Sequence, residues 1–250
     1  MPSNENNTLL KRPQNRSAKI WRYMNVEKYL YLLNYSRLFF VRSDKLDDAF
    51  EGSWTKLDIE NRKKHSMSLP NSVKDKSDED FSKILMNMKK KTFISCWNAQ
   101  DAESLSLWKI YGEVGKSIAI QSTYERLHNS VTEQVTLGLV EYIDYEIGSF
   151  FSDERRAASP FYFKRMEFAN ECELRGTIQY HKFGVIDPNE EFYDNNFGVD
   201  HPVDLENLVE EVVVSPETPE WLLELLSSVT KKFGYSFPLV RSRLDAQPQF

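Results

Sequence analysis

Cysteine, glycine and proline are all scarce in this chain of 250 residues, which has 2 Cys, 9 Gly and 10 Pro. Two cysteines, Cys96 and Cys172, build no disulfide framework and show no zinc-site spacing. They are expected as reduced core thiols in strands. So few glycines and prolines exclude sandwich and repeat architectures rich in tight turns, and no internal period is present. Apolar runs are short as well. None approaches a membrane span, and the N-terminus has no signal-peptide core, so the sequence predicts a soluble, cytoplasmic protein without membrane contact. Positive charge is outweighed: 32 Lys and Arg against 38 Asp and Glu leave a net charge of −6. That balance speaks against bulk nucleic-acid binding while leaving room for a local basic groove. The oligomeric state is not expressed in the sequence.

Aromatics are plentiful, at 13% of residues within a hydrophobic fraction of 40%. A chain of this length buries a proper core, and the pattern predicts one α+β domain over 18–250 with a mixed central sheet of about seven or eight strands, in keeping with. Residues 1–17, rich in Asn, Arg and Lys, read as a disordered tail. A charged, helical stretch at 55–90 reads as an inserted helical subdomain, with a helix starting at Ser77–Asp80 and ending at Lys89–Lys91.

The stretch Lys91–Thr123 is the densest in polar groups set among core residues. Thr92–Trp97 is β-branched and aromatic, as a buried strand requires. Asp101 is placed to cap a short helix carrying Leu107, Trp108 and Tyr111. Ser117–Gln121 alternates as a further strand. Ser95, Asn98, Gln100, Asp101, Glu103 and Ser104 therefore gather at one strand end, where sites are commonly built. A capped helix resting on a sheet explains the same pattern without any ligand.

Elsewhere the spacing predicts a strand over Ile20–Met24, a helix capped by Asn25, and a strand over Arg37–Arg42. Asp44–Trp54 is an acidic loop with two aromatics. Val135–Tyr145 reads as one strand and Phe150–Asn170 as mostly helical. Glu171–Tyr180 reads as a strand with Cys172, Leu174, Ile178 and Tyr180 on one face and Glu171, Glu173 and Arg175 on the other. That polar row serves either as an ion-pair ladder or as a ligand-binding row. Phe183–Asp204 reads as an acidic loop, and Leu208–Ser215 as an apolar strand. Thr218-Pro219-Glu220 opens a helix with Trp221, Leu222, Leu225, Leu226 and Val229 inward. A last strand covers Phe237–Leu244.

Five segments occur in a recognisable order: LDDAFEG (46–52), SCW…ESLSLWKIYG (95–112), GKSIAI (115–120), VEYIDY (140–145) and K…F..ECELR (164–175). Together they resemble the bacterial domain-of-unknown-function family numbered twenty-nine seventy-one, from about Ile20 to Leu244. Here Asp47 and Ala49 stand where that family has Asn and Pro, and Trp97 where it has Phe. The resemblance implies a setting in bacterial stress response or phage defence, and it supplies no activity.

A more distant likeness is to ADP-ribosyltransferases, which place an Arg, His or Tyr on an early strand and a Glu-x-Glu pair on a late one. It implies an ADP-ribosyltransferase-like fold with NAD as substrate, as in a transferase or an NAD glycohydrolase. Glu173 and Glu171 would be the catalytic carboxylates. Arg22, Tyr23, Ser95 and Ser104 would contact the cofactor, and Asp48, Glu51, Glu103, Lys164 and Arg175 would line the same cleft. An arginine can clamp a pyrophosphate bidentately, and a carboxylate can stabilise an oxocarbenium-like transition state. Two further readings stand beside this one. One is a non-catalytic module that recognises a nucleotide or protein ligand through the same polar cleft. The other is a nuclease with Asp47, Asp48, Glu51 and Glu173 around Mg²⁺, a poorer reading because no histidine pairs with these carboxylates in sequence.

Overall fold

The computed structural model describes residues 10–67, 71–150, 160–180 and 195–248, and the side chains of all of these except 66–67 and 71–80. The elements follow the hydrophobic alternation closely in the first half of the chain. Strand β1 (Lys19–Asn25) hands over to helix α1 (Val26–Tyr35) at Asn25, whose side chain accepts from Lys28 N–H at 3.0 Å. Strand β2 (Arg37–Arg42) follows, and helices α2 (Lys56–Met67) and α3 (Asn71–Lys90) make up the expected helical insertion. Helix α3 begins six residues before Ser77, because no proline or glycine lies between 71 and 77 to stop it.

Strand β3 (Thr92–Asn98), helix α4 (Leu105–Tyr111), strand β4 (Ser117–Thr123) and helix α5 (Tyr124–Ser130) come next. Ser104 caps α4, not Asp101, because the helix begins only at Leu105 and the Ser104 side chain accepts from Leu107 N–H. The single strand expected at Val135–Tyr145 is divided into β5 (Thr136–Leu139) and β6 (Glu141–Ile143). β5 joins the main sheet, whereas β6 pairs in parallel with β7 (Phe163–Arg165). Of the helix expected at Phe150–Asn170, residues 151–159 lie outside the described residues. The remainder is two 3₁₀ turns, Pro160–Tyr162 and Met166–Glu171, flanking β7. Pro160 and the β7 pairing displace the helical bonds there.

The chain ends with β8 (Glu173–Gln179), β9 (Gly198–Pro202), the single turn α6 (Leu205–Leu208), β10 (Glu211–Val214), α7 (Glu220–Lys232) and β11 (Leu239–Arg241). β9 lies inside the stretch expected as an acidic loop, where it pairs with β2. α7 buries Leu222, Leu226 and Thr230. Trp221 and Leu225, expected inward, are exposed because the contacting face is rotated toward Thr230. Of the expected tail, residues 1–9 lie outside the described residues. Leu10 is buried, and Leu139 N–H donates to the Lys11 carbonyl at 2.8 Å.

Nine strands form the main sheet in the order β11-β10-β4-β1-β3-β2-β9, with β8 on the other edge of β3 and β5 beyond β8. Only β10–β11 is parallel within it, so the architecture is α+β with a mixed central sheet. β3 shares one edge between two strands: β2 meets it at Phe93 and Ile94, and β1 at Asn98. The sheet is therefore split beside Ser95, Cys96 and Trp97.

The two faces of the sheet differ. The larger core lies on the side of Ile20, Met24, Phe93, Trp97, Ile118, Ile120, Leu174 and Ile178. Trp21, Tyr23, Ala119 and Val213 point the other way and pack against Leu107 and Trp108 of α4. Because side chains alternate along a strand, Cys96, Asn98, Glu173 and Arg175 belong to this second face, and Arg22 and Ser95 to the first.

Candidate active site

Arg175 is the centre of the polar cluster on the second face. It is wholly buried and clamped between two carboxylates. Its Nε and Nη2 donate to Glu173 Oε1 and Oε2 at 2.6 and 3.0 Å. Its Nη1 and Nη2 donate to Glu51 Oε2 and Oε1 at 2.7 and 2.6 Å, and Nη1 also reaches the Phe161 carbonyl at 2.6 Å. Lys164 adds a second cation. Its Nζ donates to Glu171 Oε2 at 2.6 Å and lies 3.6 Å from both Glu51 and Glu173.

Local backbone geometry explains how these groups meet. Glu51 lies in the acidic loop immediately before Gly52, which has φ +65° and faces the Phe161 ring so closely that a Cβ would sit 2.2 Å from it. Only glycine meets both demands. Cys172 is not in a strand. It is a left-handed elbow with φ 42° between the 3₁₀ turn and β8, and the elbow brings Glu171 and Glu173 to the same lysine. Tyr142 of β6 accepts from Glu173 N–H at 2.8 Å and holds the strand end.

The electrostatics follow from burial and pairing. Burial alone raises a carboxyl pKa, yet the charges of Arg175 and Lys164 outweigh it and hold Glu173 below the usual carboxylate range. Glu171, nearer the rim, is raised because burial prevails over its lysine. Cys96 lies across from Arg175 in the β3–β8 ladder. Burial and the neighbouring Glu173 push its thiol well above the ordinary range, which favours the neutral form. Tyr111 of α4 stands near enough to Glu171, Cys96 and Glu173 for burial and their charges to keep its phenol protonated.

A second polar group surrounds the start of α4. Ser104 N–H donates to Tyr23 Oη at 2.8 Å. Glu103 accepts from Trp108 Nε1 at 3.1 Å, from Ser242 Oγ, and from Arg243 N–H at 2.8 Å, tying α4 to the C-terminal segment. A third lies in the sheet split, where Arg22 donates to Ser95 Oγ and, at 3.0 Å, to the Phe39 carbonyl. Its guanidinium stands over the Trp97 ring at 5.7 Å, and burial pushes its pKa down to about 10. Among the described residues no carboxylate pairs with it.

Of the residues the sequence pointed to, the structure thus brings Glu51, Lys164, Glu171, Glu173 and Arg175 into one cluster. Asp48 borders it and holds Arg165 at 2.9 Å. Arg22 with Ser95, and Tyr23 with Ser104 and Glu103, form separate groups. Sequence reasoning missed Tyr111, Tyr142 and Arg165. The Arg165 guanidinium stands over the rings of Phe50 and Phe168, at 4.4 and 5.3 Å from their centres. VEYIDY was the one signal for Tyr142, and Tyr111 was marked only as an apolar position of the ESLSLWKIYG helix; nothing local marks Arg165. Among the described residues no group of three His, Cys, Asp or Glu side chains is placed to hold a metal ion. No described helix is long and apolar enough to cross a membrane.

No family model and no curated protein matches the chain. Solved structures of Thermus sp. 2.9 DarT are similar to it over nearly the whole length. The complex with ADP-ribosylated ssDNA has a TM-score of 0.42 at 11% identity, covering 94% of this chain and 99% of that one. The complex with NAD⁺ has a TM-score of 0.42 at 10% identity, covering 95% and 100%. For the carba-NAD⁺ complex the TM-score is 0.39 at 11% identity, with 94% and 98% covered. So loose a likeness carries no residue role from one chain to the other.

Proposed function

We propose that the chain is an NAD-consuming enzyme of the ADP-ribosyltransferase kind, acting in the bacterial stress or phage-defence setting that its family resemblance implies. Glu173 is the catalytic carboxylate, Glu171 its partner at the rim, and Arg22 the clamp for the pyrophosphate. The observation that carries this reading is Arg22: a partly buried guanidinium in a sheet split, charged at neutral pH and without an anionic partner among the described residues. A cation so placed favours an anionic ligand. Glu173, held ionised by Arg175 and Lys164, lies on the opposite face of the sheet from Arg22, so one dinucleotide reaches both only by way of the split beside Ser95, Cys96 and Trp97.

An immobilised carboxylate suits the reaction. The bond between ribose C1′ and the nicotinamide nitrogen breaks, and both electrons leave with nicotinamide, which becomes neutral. Positive charge develops on the ribose, and a fixed negative charge stabilises it without reorganisation. Water or another nucleophile then bonds to C1′ and gives up its proton.

The test is purified protein with NAD⁺, following nicotinamide release. Wild type should release it, and Glu173→Gln should keep NAD⁺ binding while losing turnover by about 10²–10³-fold, as for a lost electrostatic stabiliser. Equal turnover in the two proteins would remove Glu173 from this role. One observation favours the alternative, a non-catalytic binding module: Arg175 is saturated by Glu51, Glu173 and the Phe161 carbonyl, as in a purely structural network. Binding without any release by the wild type would establish that alternative.

A further inference from the structure

Asn98 is 5% exposed, and its two amide atoms are treated differently. Nδ2 donates to the Glu171 carbonyl at 2.6 Å, whereas Oδ1 is buried without a hydrogen-bond partner. A flipped amide would set Oδ1 against that carbonyl, acceptor against acceptor, so the orientation is determined by its neighbour. Buried acceptors are nearly always satisfied, and one left open invites a donor. Thr92 Oγ1 and Asp245 Oδ2 share this condition, but Thr92 lies at the far end of β3, and Asp245 Oδ2 has Arg241 at 4.0 Å.

Asn98 stands beside the proposed catalytic carboxylate. In the β3–β8 ladder its direct cross-strand partner is Glu173. Directly opposed residues point to the same face with Cβ atoms about 4.5–5.5 Å apart. The strand end thus sets two buried acceptors side by side, an ionised carboxylate whose two oxygens already accept from Arg175 and an amide oxygen with no partner. Tyr111, half-exposed on α4, is close enough to Glu171 and Glu173 for their charges to act on its phenol.

We infer that Asn98 is a ligand-contact residue whose Oδ1 accepts one hydroxyl of a ribose cis-diol while Glu173 holds the adjacent hydroxyl. The inference rests on the NAD-consuming reading and deepens it, since two acceptors at this separation select a vicinal diol. Asn98 then sets specificity for ribose over a mono-deoxy sugar.

The experiment measures binding separately from turnover. NAD⁺ and its two mono-deoxy analogues at the nicotinamide-side ribose are titrated into wild type and Asn98→Ala, with nicotinamide release followed in parallel. Wild type should bind each analogue about 10-fold more weakly than NAD⁺, one ordinary hydrogen bond's worth. Asn98→Ala should bind NAD⁺ about 10-fold more weakly, and it should no longer distinguish NAD⁺ from one of the two analogues. Unchanged NAD⁺ affinity in Asn98→Ala would overturn the inference and leave the enzymatic reading standing. Asn98-dependent binding without nicotinamide release would do the reverse, and absence of NAD⁺ binding by wild type would overturn both. Should Asn98→Ala fail to fold, the wild-type titrations still decide: equal affinity for NAD⁺ and both analogues overturns the inference.

Discussion

Arg175 grips the carboxylate of Glu173, two residues before it on β8, with both Nε and Nη2, and the same guanidinium holds Glu51 from a loop 124 positions away. A strand neighbour and a distant loop are thereby joined through one buried cation. Removing the cation leaves two carboxylates facing each other out of water. Arg175→Met should therefore cost about 3–5 kcal/mol, the usual penalty for breaking a buried pair. Arg175→Lys should recover only part of this, because an ammonium cannot fork between two carboxylates. Chemical denaturation of the three proteins measures it, and a wild-type stability for Arg175→Met would show that the network is not structural.

Acid should act on the fold in two steps. His201 is buried, and its Nε2 accepts from Thr132 N–H at 3.2 Å; burial lowers its pKa below the ordinary 6.5. A histidine depressed in the folded state contributes its full stability above 6.5 and loses it as pH falls from there toward the folded value. Glu173, also depressed, contributes above the ordinary 4.5 and loses it only below that. Glu171, raised by burial, works in the opposite sense and gains stability as pH falls. The melting temperature should thus decline between about pH 7 and pH 5.5, the range where histidine titrates. His201→Gln, which keeps an acceptor for Thr132, should flatten that decline. An equally steep decline in the variant would assign it to other groups.

Trp108 is fully buried, packs edge-on against Tyr23 at 4.9 Å, and donates to Glu103. Truncation to alanine should cost about 3–5 kcal/mol, a large part of the ~5–15 kcal/mol that holds a domain together. Trp108→Phe should lie between, since it keeps a ring but leaves Glu103 only Ser242 and Arg243. A thermal melt decides. A wild-type melt for Trp108→Ala combined with lost NAD⁺ binding would make the indole a ligand platform instead.

Arg22 gives the converse expectation. Arg22→Gln removes the unpaired charge while keeping an amide donor for Ser95 or the Phe39 carbonyl. Its melting temperature should stay near that of wild type, while NAD⁺ affinity should fall at least about tenfold, as for a lost charged hydrogen bond. The wild-type affinity should also weaken with added salt more steeply than the variant's. A collapsed melt with unchanged affinity would make Arg22 a staple across the split and not a clamp.

The sequence by itself determined the elements whose signals are local. Asn25 caps α1 because an Asn side chain reaches the N–H three residues on. Alternation in Ser117–Gln121 and Glu171–Tyr180 set which residues face the main core and assigned Glu173 and Arg175 to the polar face, although the second strand itself begins only at Glu173. Elements that depend on distant partners were not legible. Val135–Tyr145 has one continuous pattern, yet β8 claims its first part and β7 its second. The 3₁₀ turns around β7 arose where helix was expected for the same reason. The site divides likewise. Residue types at Glu51, Lys164, Glu171, Glu173 and Arg175 were apparent in the chain. Their convergence, the separation of Arg22 onto the other face, and the open Oδ1 of Asn98 were decided only by tertiary structure. Strand pairing and sheet splitting depend on contacts between residues far apart in sequence, and no local spacing encodes which edge of β3 each strand takes.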